Sequence, residues 1–283
     1  MEEFIARSII IVDKPSSRTS REVVSEIKEI FNLNKCGHAG TLDPKVSGVL
    51  VVALENATKA MPVLMGLNKE YEGVLYLHKD INEKKLGKII SKHFIGEITQ
   101  IPPVKSRVAR KPRKRIIYYF KILKKDGKNV RFRTKVQAGT YIRKLISDIG
   151  EKLGIGAHMK ELRRTNVGNF KIKHSHTLEE IKEAYNAWKK GNEEPLRKIL
   201  TPIEKAILHV KKVYVKESSI RQICNGAPVR GLDIIKIQNG IKPNETVGIF
   251  SPEDKLIALG IAKMKSEDMH KRKGTIIRTD RVI

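Results

Sequence analysis

The chain has 283 residues and carries 57 Lys and Arg against 31 Asp and Glu, a formal net charge of +26 at pH 7. With 40% hydrophobic residues it is long enough for one large domain or two unequal ones, each with its own core, and too apolar to be disordered. The excess of cations attracts polyanions, so nucleic acid is the expected partner. The sequence has no run of 18 apolar residues and begins with acids where a signal peptide has bases, so we expect a cytoplasmic protein that does not associate with membranes.

The hydrophobic pattern predicts a mixture of helices and strands. Thr19 and Glu22 have the spacing of a capping box, which predicts a helix that begins there and ends near Asn34. Farther along, apolar residues alternate with polar ones in some segments, as in strands, and recur at helical spacing in others. The helical spacing that begins at Ile142 places Arg143 in the first turn of a helix. These segments are, in order, a buried run 45–54, a strand 71–77, a helix 86–90, a strand 130–136, and helices 142–153 and 178–188.

The C-terminal quarter of the sequence has a different pattern. Helical spacing is lost between Lys189 and Pro202, and short strand-like pieces with glycine turns follow. We therefore expect a domain boundary between residues 208 and 209. Residues 1–208 would form an α+β domain and residues 209–283 a small β-rich barrel.

Asp43 lies in the glycine-bracketed turn GHAGTLDP, directly before the apolar run 45–54. Its ordinary interpretation is a turn residue, since Asp before Pro bonds its own backbone and disfavours helix. The buried run would also hold the carboxylate rigidly at the edge of a core, as a catalytic group requires.

A single carboxylate is too few for ordinary glycoside hydrolysis. It suffices to break the C–N bond of a uridine whose base is retained, turned over and rejoined through carbon. Such a target must leave the helical stack, which requires an aromatic platform and a basic RNA-binding surface. Tyr71 offers the platform, and seven Lys and Arg between Lys105 and Arg115 offer the surface.

Five motifs resemble, in order and spacing, those of TruB-type pseudouridine synthases. They are DKPSSRTS (13–20), GHAGTLDPKVSGVL (37–50), KEY (69–71), AGTYIRKLISDIG (138–150) and HMKELRRTNVGNF (158–170). Within that family the chain is similar to the archaeal relatives of dyskerin, the catalytic subunit of box H/ACA particles. Residues 209–283 resemble a PUA RNA-binding domain. The resemblance implies an α+β catalytic domain with a large mixed, mainly antiparallel sheet and an RNA cleft, followed by a small β-barrel PUA domain.

The resemblance also assigns roles to individual residues. It implies that Asp43 is the essential carboxylate, that Tyr71 stacks on the target base and that Arg143 is their charged partner. Each has an ordinary interpretation too, Arg143 as a solvated cation and Tyr71 as a half-buried sheet residue. Lys14 and Pro15 would support the catalytic loop. The residues expected to contact substrate or RNA are His38, Tyr141, Leu162, Lys105, Arg107, Arg110, Arg113, Arg230 and Gly231.

No cofactor or metal is expected, because the isomerisation has no net redox change, and because Cys36 and Cys224 lack metal-binding spacing. The resemblance implies H/ACA guide RNA and substrate RNA as partners, together with a small nucleolar-type protein, a glycine-arginine-rich-type protein and a kink-turn-binding ribosomal-type protein. Two alternatives stay open: a stand-alone tRNA pseudouridine synthase and a non-catalytic RNA-binding assembly factor. The strand at Tyr71 leads directly into a helix without the long insertion of stand-alone bacterial enzymes, which favours the guided class.

Overall fold

Two β-sheets with helices packed against them make up the protein, and the computed structural model describes residues 1–102, 109–269 and 274–283. The strands are β1 (Ser8–Lys14), β2 (Cys36–His38), β3 (Ser47–Leu54), β4 (Lys69–Leu77), β5 (Gly96–Gln100), β6 (Arg113–Asp126), β7 (Asn129–Val136), β8 (Ala157–Val167), β9 (Phe170–Lys171), β10 (Leu200–Pro202), β11 (Lys211–Val215), β12 (Val229–Arg230), β13 (Ile234–Ile237), β14 (Thr246–Phe250), β15 (Leu256–Ala262) and β16 (Thr275–Val282). The α-helices are α1 (Glu2–Ala6), α2 (Ser20–Ile30), α3 (Met61–Met65), α4 (Glu83–His93), α5 (Ile142–Lys152), α6 (Leu178–Lys189), α7 (Glu194–Ile199), α8 (Ile203–Ala206), α9 (Glu217–Cys224) and α10 (Ser266–Met269). None of the helices in these described ranges is long and apolar enough to cross a membrane.

The first sheet runs in the order β10-β1-β3-β8-β4-β7-β6-β5, with β2 paired to β3 and β9 to β8. Its neighbouring strands are antiparallel except β3 and β8, which pair in parallel at Ser47 and Gly48. The expected large, mixed and mainly antiparallel sheet is thus confirmed. Because β3 and β8 are neighbours, the loop before β3 lies beside the motif carried by β8.

The second sheet has six strands in the order β12-β16-β15-β14-β11-β13 and is nearly barrel-shaped, as expected for the C-terminal region. Helix α9 was not predicted there. It has eight residues, and Ile223 is its one large side chain that is fully buried. Such a short helix has too few apolar residues to give a recognisable helical spacing. Helix α7 was also missed, in the stretch where the helical pattern breaks off.

Helix α2 shows how far local sequence determined the structure. The hydroxyl of Thr19 accepts from the amide of Glu22, and the Glu22 carboxylate accepts from the amide of Thr19, so the predicted capping box is present. The predicted end near Asn34 was wrong, because the helix ends at Ile30. Asn32 then has a φ of 51°, a left-handed conformation that helps turn the chain toward β2.

The expectation of two separate cores was also wrong in part. One buried cluster includes Ile9, Val51 and Ile203 beside the first sheet together with Phe250 and Leu256 of the second. Other buried clusters lie within a single sheet region. Periodicity predicts which face of a strand is apolar but not which other face covers it. The boundary between residues 208 and 209 therefore stays a prediction, and removing the C-terminal sheet would expose apolar surface on the rest.

A polar contact closes the junction between the sheets. Arg7 donates to Glu204 Oε1 (2.9 Å) and to the carbonyl of Leu256 (2.7 Å), and Glu204 Oε1 accepts from the amide of Leu256 (3.1 Å). The Arg7 and Glu204 side chains are 14% and 20% exposed, so water would poorly replace these hydrogen bonds if one partner were lost. The contact is therefore expected to stabilise the packed arrangement.

We expect Glu204→Ala to lower the free energy of unfolding by about 1–3 kcal/mol, because Arg7 and the Leu256 amide lose their shared acceptor. Denaturant unfolding measures this change. Glu3→Ala is the matched control, since Glu3 pairs with Lys255 across the same junction but is exposed, and it should have little effect. Equal effects of the two changes would show that the buried contact contributes nothing special.

Candidate active site

Asp43 lies in the loop between β2 and β3, flanked by Leu42 and Val46, both 3% exposed. The Asp43 carbonyl accepts from the amide of Val46 (3.0 Å), which closes a turn. Ser20, at the start of α2, accepts from the Leu42 amide (2.8 Å) and donates to the Leu42 carbonyl (3.1 Å). The Asp43 side chain itself is 53% exposed. The loop thus presents a carboxylate to solvent from a backbone that is fixed on both sides.

Arg143 reaches Asp43 from a segment 100 residues away in sequence. It is the second residue of α5, and its Nη2 lies 2.7 Å from Asp43 Oδ2. Both side chains are more than half exposed, and such pairs contribute little to stability. The contact can, however, fix the direction of the carboxylate, because the guanidinium holds it through a charge-assisted hydrogen bond.

Lys14 lies beneath this loop with a fully buried side chain. Its ammonium donates to the carbonyls of Pro15 (2.7 Å), Arg18 (2.5 Å) and Pro44 (3.2 Å), and Pro44 directly follows Asp43. Burial, and then the charge of Arg164, lower the pKa of Lys14. The structure therefore places Lys14 where it ties the segment after β1 to the Asp43 loop.

Arg164 also supports the Asp43 loop, through contacts that were not predicted from the sequence. It is 1% exposed and donates to the carbonyls of Val49 (2.7 Å) and Gly40 (3.0 Å). Gly40 has a φ of 106°, a conformation that other residues rarely adopt. Arg164 lies two residues after the buried Leu162 on β8, so strand alternation would have predicted that it points inward.

Tyr71 and Leu162, on the neighbouring strands β4 and β8, are each 9% exposed. They belong to one buried cluster with Leu42, which precedes Asp43, and Ile142, which precedes Arg143. The two apolar candidates thus belong to the same core as the residues that directly precede Asp43 and Arg143.

Lys69 is the first residue of the KEY motif, and the sequence predicted no role for it. Its side chain faces the same way as Tyr71 and is nearly buried, and its ammonium donates to the carbonyls of Met65 (2.7 Å) and Leu67 (2.6 Å). Burial, and then the charge of Arg164, lower the pKa of Lys69 to about 8. This lysine therefore titrates at a much lower pH in the folded protein than in the unfolded chain.

The pKa of Lys69 predicts a pH dependence of stability. Between about pH 8 and its ordinary 10.5, the unfolded chain holds a proton that the folded protein has released, so this group makes stability rise with pH. The free energy of unfolding of the native protein minus that of Lys69→Met should rise by up to about 1.4 kcal/mol per pH unit across that window. Denaturant titrations from pH 7 to pH 10 measure the difference. The same difference taken with the exposed Lys92→Met should stay flat, and a flat curve for Lys69→Met would contradict the prediction.

His38 ends β2 opposite Val52, and its Nδ1 is buried without a hydrogen-bond partner in the described part of the chain. Burial, and then the charges of Arg164 and Arg21, lower the pKa of the imidazole, so the ring is neutral near pH 7. A neutral ring suits stacking or hydrogen bonding to a nucleotide better than electrostatic binding of phosphate. The sequence also allows an ordinary interpretation of His38, a turn residue satisfied by a backbone carbonyl, and no such bond to Nδ1 is present in the described part of the chain.

The remaining candidates that the structure describes lie in four places. Tyr141 is the N-cap residue of α5, two residues before Arg143. Arg110 is exposed and Arg113 begins β6, whereas Lys105 and Arg107 lie outside the described residues. Arg230 and Gly231 belong to the second sheet region, where the Arg230 amide donates to Asp233 (2.7 Å). Pro15 is exposed and contributes the carbonyl that Lys14 binds.

Comparison with known proteins agrees with this fold. Residues 28–142 match the TruB family pseudouridylate synthase N-terminal domain, residues 143–208 the tRNA pseudouridylate synthase B C-terminal domain, and residues 211–283 the PUA domain. Two relatives are each described as a probable tRNA pseudouridine synthase B. That of Methanopyrus kandleri is 45% identical over all of this chain and 84% of its own length, and that of Thermococcus onnurineus 47% over all of this chain and 85% of its own.

Solved structures show the same similarity in three dimensions. A chain in the crystal structure of a Cbf5-Nop10-Gar1 complex matches with a TM-score of 0.94 and 45% identity, over 99% of this chain and 86% of that one. A chain in an H/ACA RNP bound to a substrate RNA containing 2'-deoxyuridine matches with a TM-score of 0.90 and 44% identity, over 99% and 86%. Fold, motifs and relatives together define an RNA pseudouridine synthase with a PUA domain. The chain belongs to the TruB family.

Proposed function

We propose that this enzyme converts uridines of ribosomal RNA to pseudouridine at positions chosen by a box H/ACA guide RNA, with Asp43 as the catalytic carboxylate. The observation that carries the site is the ion pair of Asp43 and Arg143, exposed to solvent but supported by a buried frame of Ser20, Lys14 and Arg164. A carboxylate with a fixed direction at an accessible surface meets the geometric demand on a nucleophile or base.

The reaction is an exchange of one glycosidic bond for another. The bond from ribose C1' to uracil N1 breaks, a bond from C1' to C5 forms, and the C5 proton leaves while N1 gains one. Asp43 serves this exchange either by attacking the sugar or by removing a sugar proton, and in both routes it faces the ribose. Tyr71 would stack on the retained base, and Arg143 would hold the carboxylate in place.

Guidance by RNA is supported by likeness along the chain and by one structural feature. The two solved structures named above are of H/ACA-type proteins, and their likeness covers 99% of this chain. In the present structure β4 ends at Leu77 and α4 begins at Glu83, so the two elements join through a short connection in place of a long insertion. An enzyme without that insertion relies on other molecules to position its RNA. Its partners would be a guide RNA and proteins like Nop10 and Gar1, with a kink-turn-binding ribosomal-type protein, in the cytoplasm.

A second candidate function is modification of tRNA without a guide. It is favoured by the description of the relatives from Methanopyrus kandleri and Thermococcus onnurineus as probable tRNA pseudouridine synthases. Both candidates use the same carboxylate, so they differ in how the substrate is recognised. The distinguishing measurement therefore concerns the guide.

Binding of guide RNA by the intact protein tests the proposal. At fixed salt, the native protein should prefer a guide with an ACA end over one with a changed end by about 1–3 kcal/mol per base contact. We expect the PUA domain to anchor the ACA end of the guide. Arg230→Ala should therefore reduce this preference, because Arg230 lies in that domain. Arg221→Ala, an exposed arginine on α9, should weaken binding to both ends alike. Equal affinity of the native protein for both ends would contradict the guided function.

A further inference from the structure

Gln100, the last residue of β5, is a polar residue with only 2% of its surface exposed. Its Oε1 accepts from the backbone amide of Tyr141 (3.0 Å), and its Nε2 donates to the backbone carbonyl of the same residue (3.2 Å). The side-chain amide therefore binds one peptide residue on both of its polar groups, as a neighbouring strand would. Buried amides in such a setting allow little freedom to the backbone they bind.

Tyr141 is the residue from which α5 begins. Its own side chain makes no capping hydrogen bond within the described part of the chain, and its carbonyl also accepts from Leu145 (3.0 Å), in the first turn of the helix. Arg143 follows two residues later. The position of this first turn thus depends on Gln100 on one side and on the buried Ile142 on the other.

Gln100 also begins the connection that carries the basic stretch. It pairs with Arg113 in the β5–β6 register, so the connection between the two strands begins after Gln100 and ends before Arg113. The same residue therefore touches both the base of a connection rich in Lys and Arg and the start of the helix that bears Arg143.

We propose that Gln100 is a positioning residue for catalysis: by clamping Tyr141 it fixes the first turn of α5 so that Arg143 meets Asp43. The inference rests on the proposed catalytic role of Asp43. Loss of the clamp would leave the Tyr141 amide without its acceptor and its carbonyl with Leu145 alone, and the helix start would shift or fray to reach water. A displacement near 1 Å at a reacting group costs on the order of 10²-fold in rate.

The test is a double-mutant cycle between Gln100 and Arg143, read out as the single-turnover rate of pseudouridine formation. Gln100→Met keeps the side-chain length and removes both hydrogen bonds. It should slow the reaction by about 10–100-fold with RNA affinity changed less than about threefold. Arg143→Lys keeps the charge but loses the planar fork, and it leaves a rate that can be measured. In the Arg143→Lys background, Gln100→Met should cost about threefold or less, because the group that it positions is already altered.

A matched control separates positioning from folding. Gln137 lies in the turn before α5, and its side chain accepts from the amide of Ile116 (3.1 Å) without touching Tyr141. Gln137→Met should leave the rate within about twofold. Equal rate losses from Gln100→Met in both backgrounds, or a loss matched by Gln137→Met, would overturn the proposal. So would a Gln100→Met rate within twofold of the native one. An active Asp43→Asn variant would instead remove the proposed function itself.

Discussion

Asp43→Asn is expected to lower the single-turnover rate of pseudouridine formation by at least about 10²–10⁴-fold. The amide keeps the shape of the side chain but can neither attack the sugar nor accept its proton. Affinity for guide and substrate RNA should stay within a few-fold, because the change only removes one negative charge from a surface that binds a polyanion. Rates with saturating RNA and separate binding titrations measure the two effects.

Asp80→Asn is the matched control for this change. Asp80, like Asp43, pairs with a basic side chain, that of Lys125, and it is 57% exposed, close to the 53% of Asp43. It lies outside the Asp43 loop, in the connection between β4 and α4, and its replacement should leave the rate unchanged. A substantial rate for Asp43→Asn would show that another group carries the chemistry.

Replacement of Tyr71 should give the second large effect. Stacking of a base on an aromatic ring contributes about 1–3 kcal/mol, so Tyr71→Leu should slow the single turnover by about 5–150-fold. Tyr71→Phe keeps the ring and should retain most of the rate. The comparison of the two variants matters because the ring is only 9% exposed and belongs to a buried cluster. These properties also fit a residue that only stabilises the core and does not stack on the base.

Thermal unfolding separates these roles for Tyr71. A structural role predicts that Leu and Phe lower the rate in proportion to lost stability, and that Phe120→Leu, which alters the same cluster, has a similar effect on rate. Stacking predicts a rate loss for Tyr71→Leu beyond that of Phe120→Leu at matched stability. Equal rates for the Leu and Phe variants of Tyr71 would rule out stacking, and a large loss with Phe would indicate a role for the hydroxyl.

The exposed ion pair of Asp43 and Arg143 separates activity from stability. Because both side chains are more than half exposed, removing either should disturb folding little. The buried frame beneath the loop is different, since Lys14 and Arg164 each serve several carbonyls out of reach of water. Changes there should affect both properties, which makes Asp43 and Arg143 the better positions for testing chemistry.

Much of the fold was predictable because local patterns are strong in this chain. The capping box at Thr19 places α2, and alternation in 71–77 and 130–136 places β4 and β7. The position of Arg143 in a first helical turn also follows from spacing. Its meeting with Asp43 does not, because the two are 100 residues apart and their pairing depends on the order of strands in the sheet.

The contacts that the sequence did not indicate are those between a side chain and a distant backbone. Arg164 binds Gly40, 124 residues away in sequence, and Gln100 binds Tyr141, 41 residues away. No periodic pattern in the sequence predicts either contact. The shared core of the two sheets was missed for a related reason. The strand pattern predicts that Phe250 and Leu256 point inward, but it does not predict that they pack against residues of the first sheet.

The most direct test of guided modification is a single-turnover assay of the native protein with two substrates. One is a ribosomal RNA fragment with a guide RNA and the partner proteins, and the other is a free tRNA stem-loop without a guide. We expect pseudouridine in the fragment at the uridine that pairing with the guide selects, at a new uridine when the guide is changed, and little reaction when the guide is omitted. Rapid modification of the free tRNA stem-loop, together with a fragment reaction that ignores the guide, would contradict guided modification.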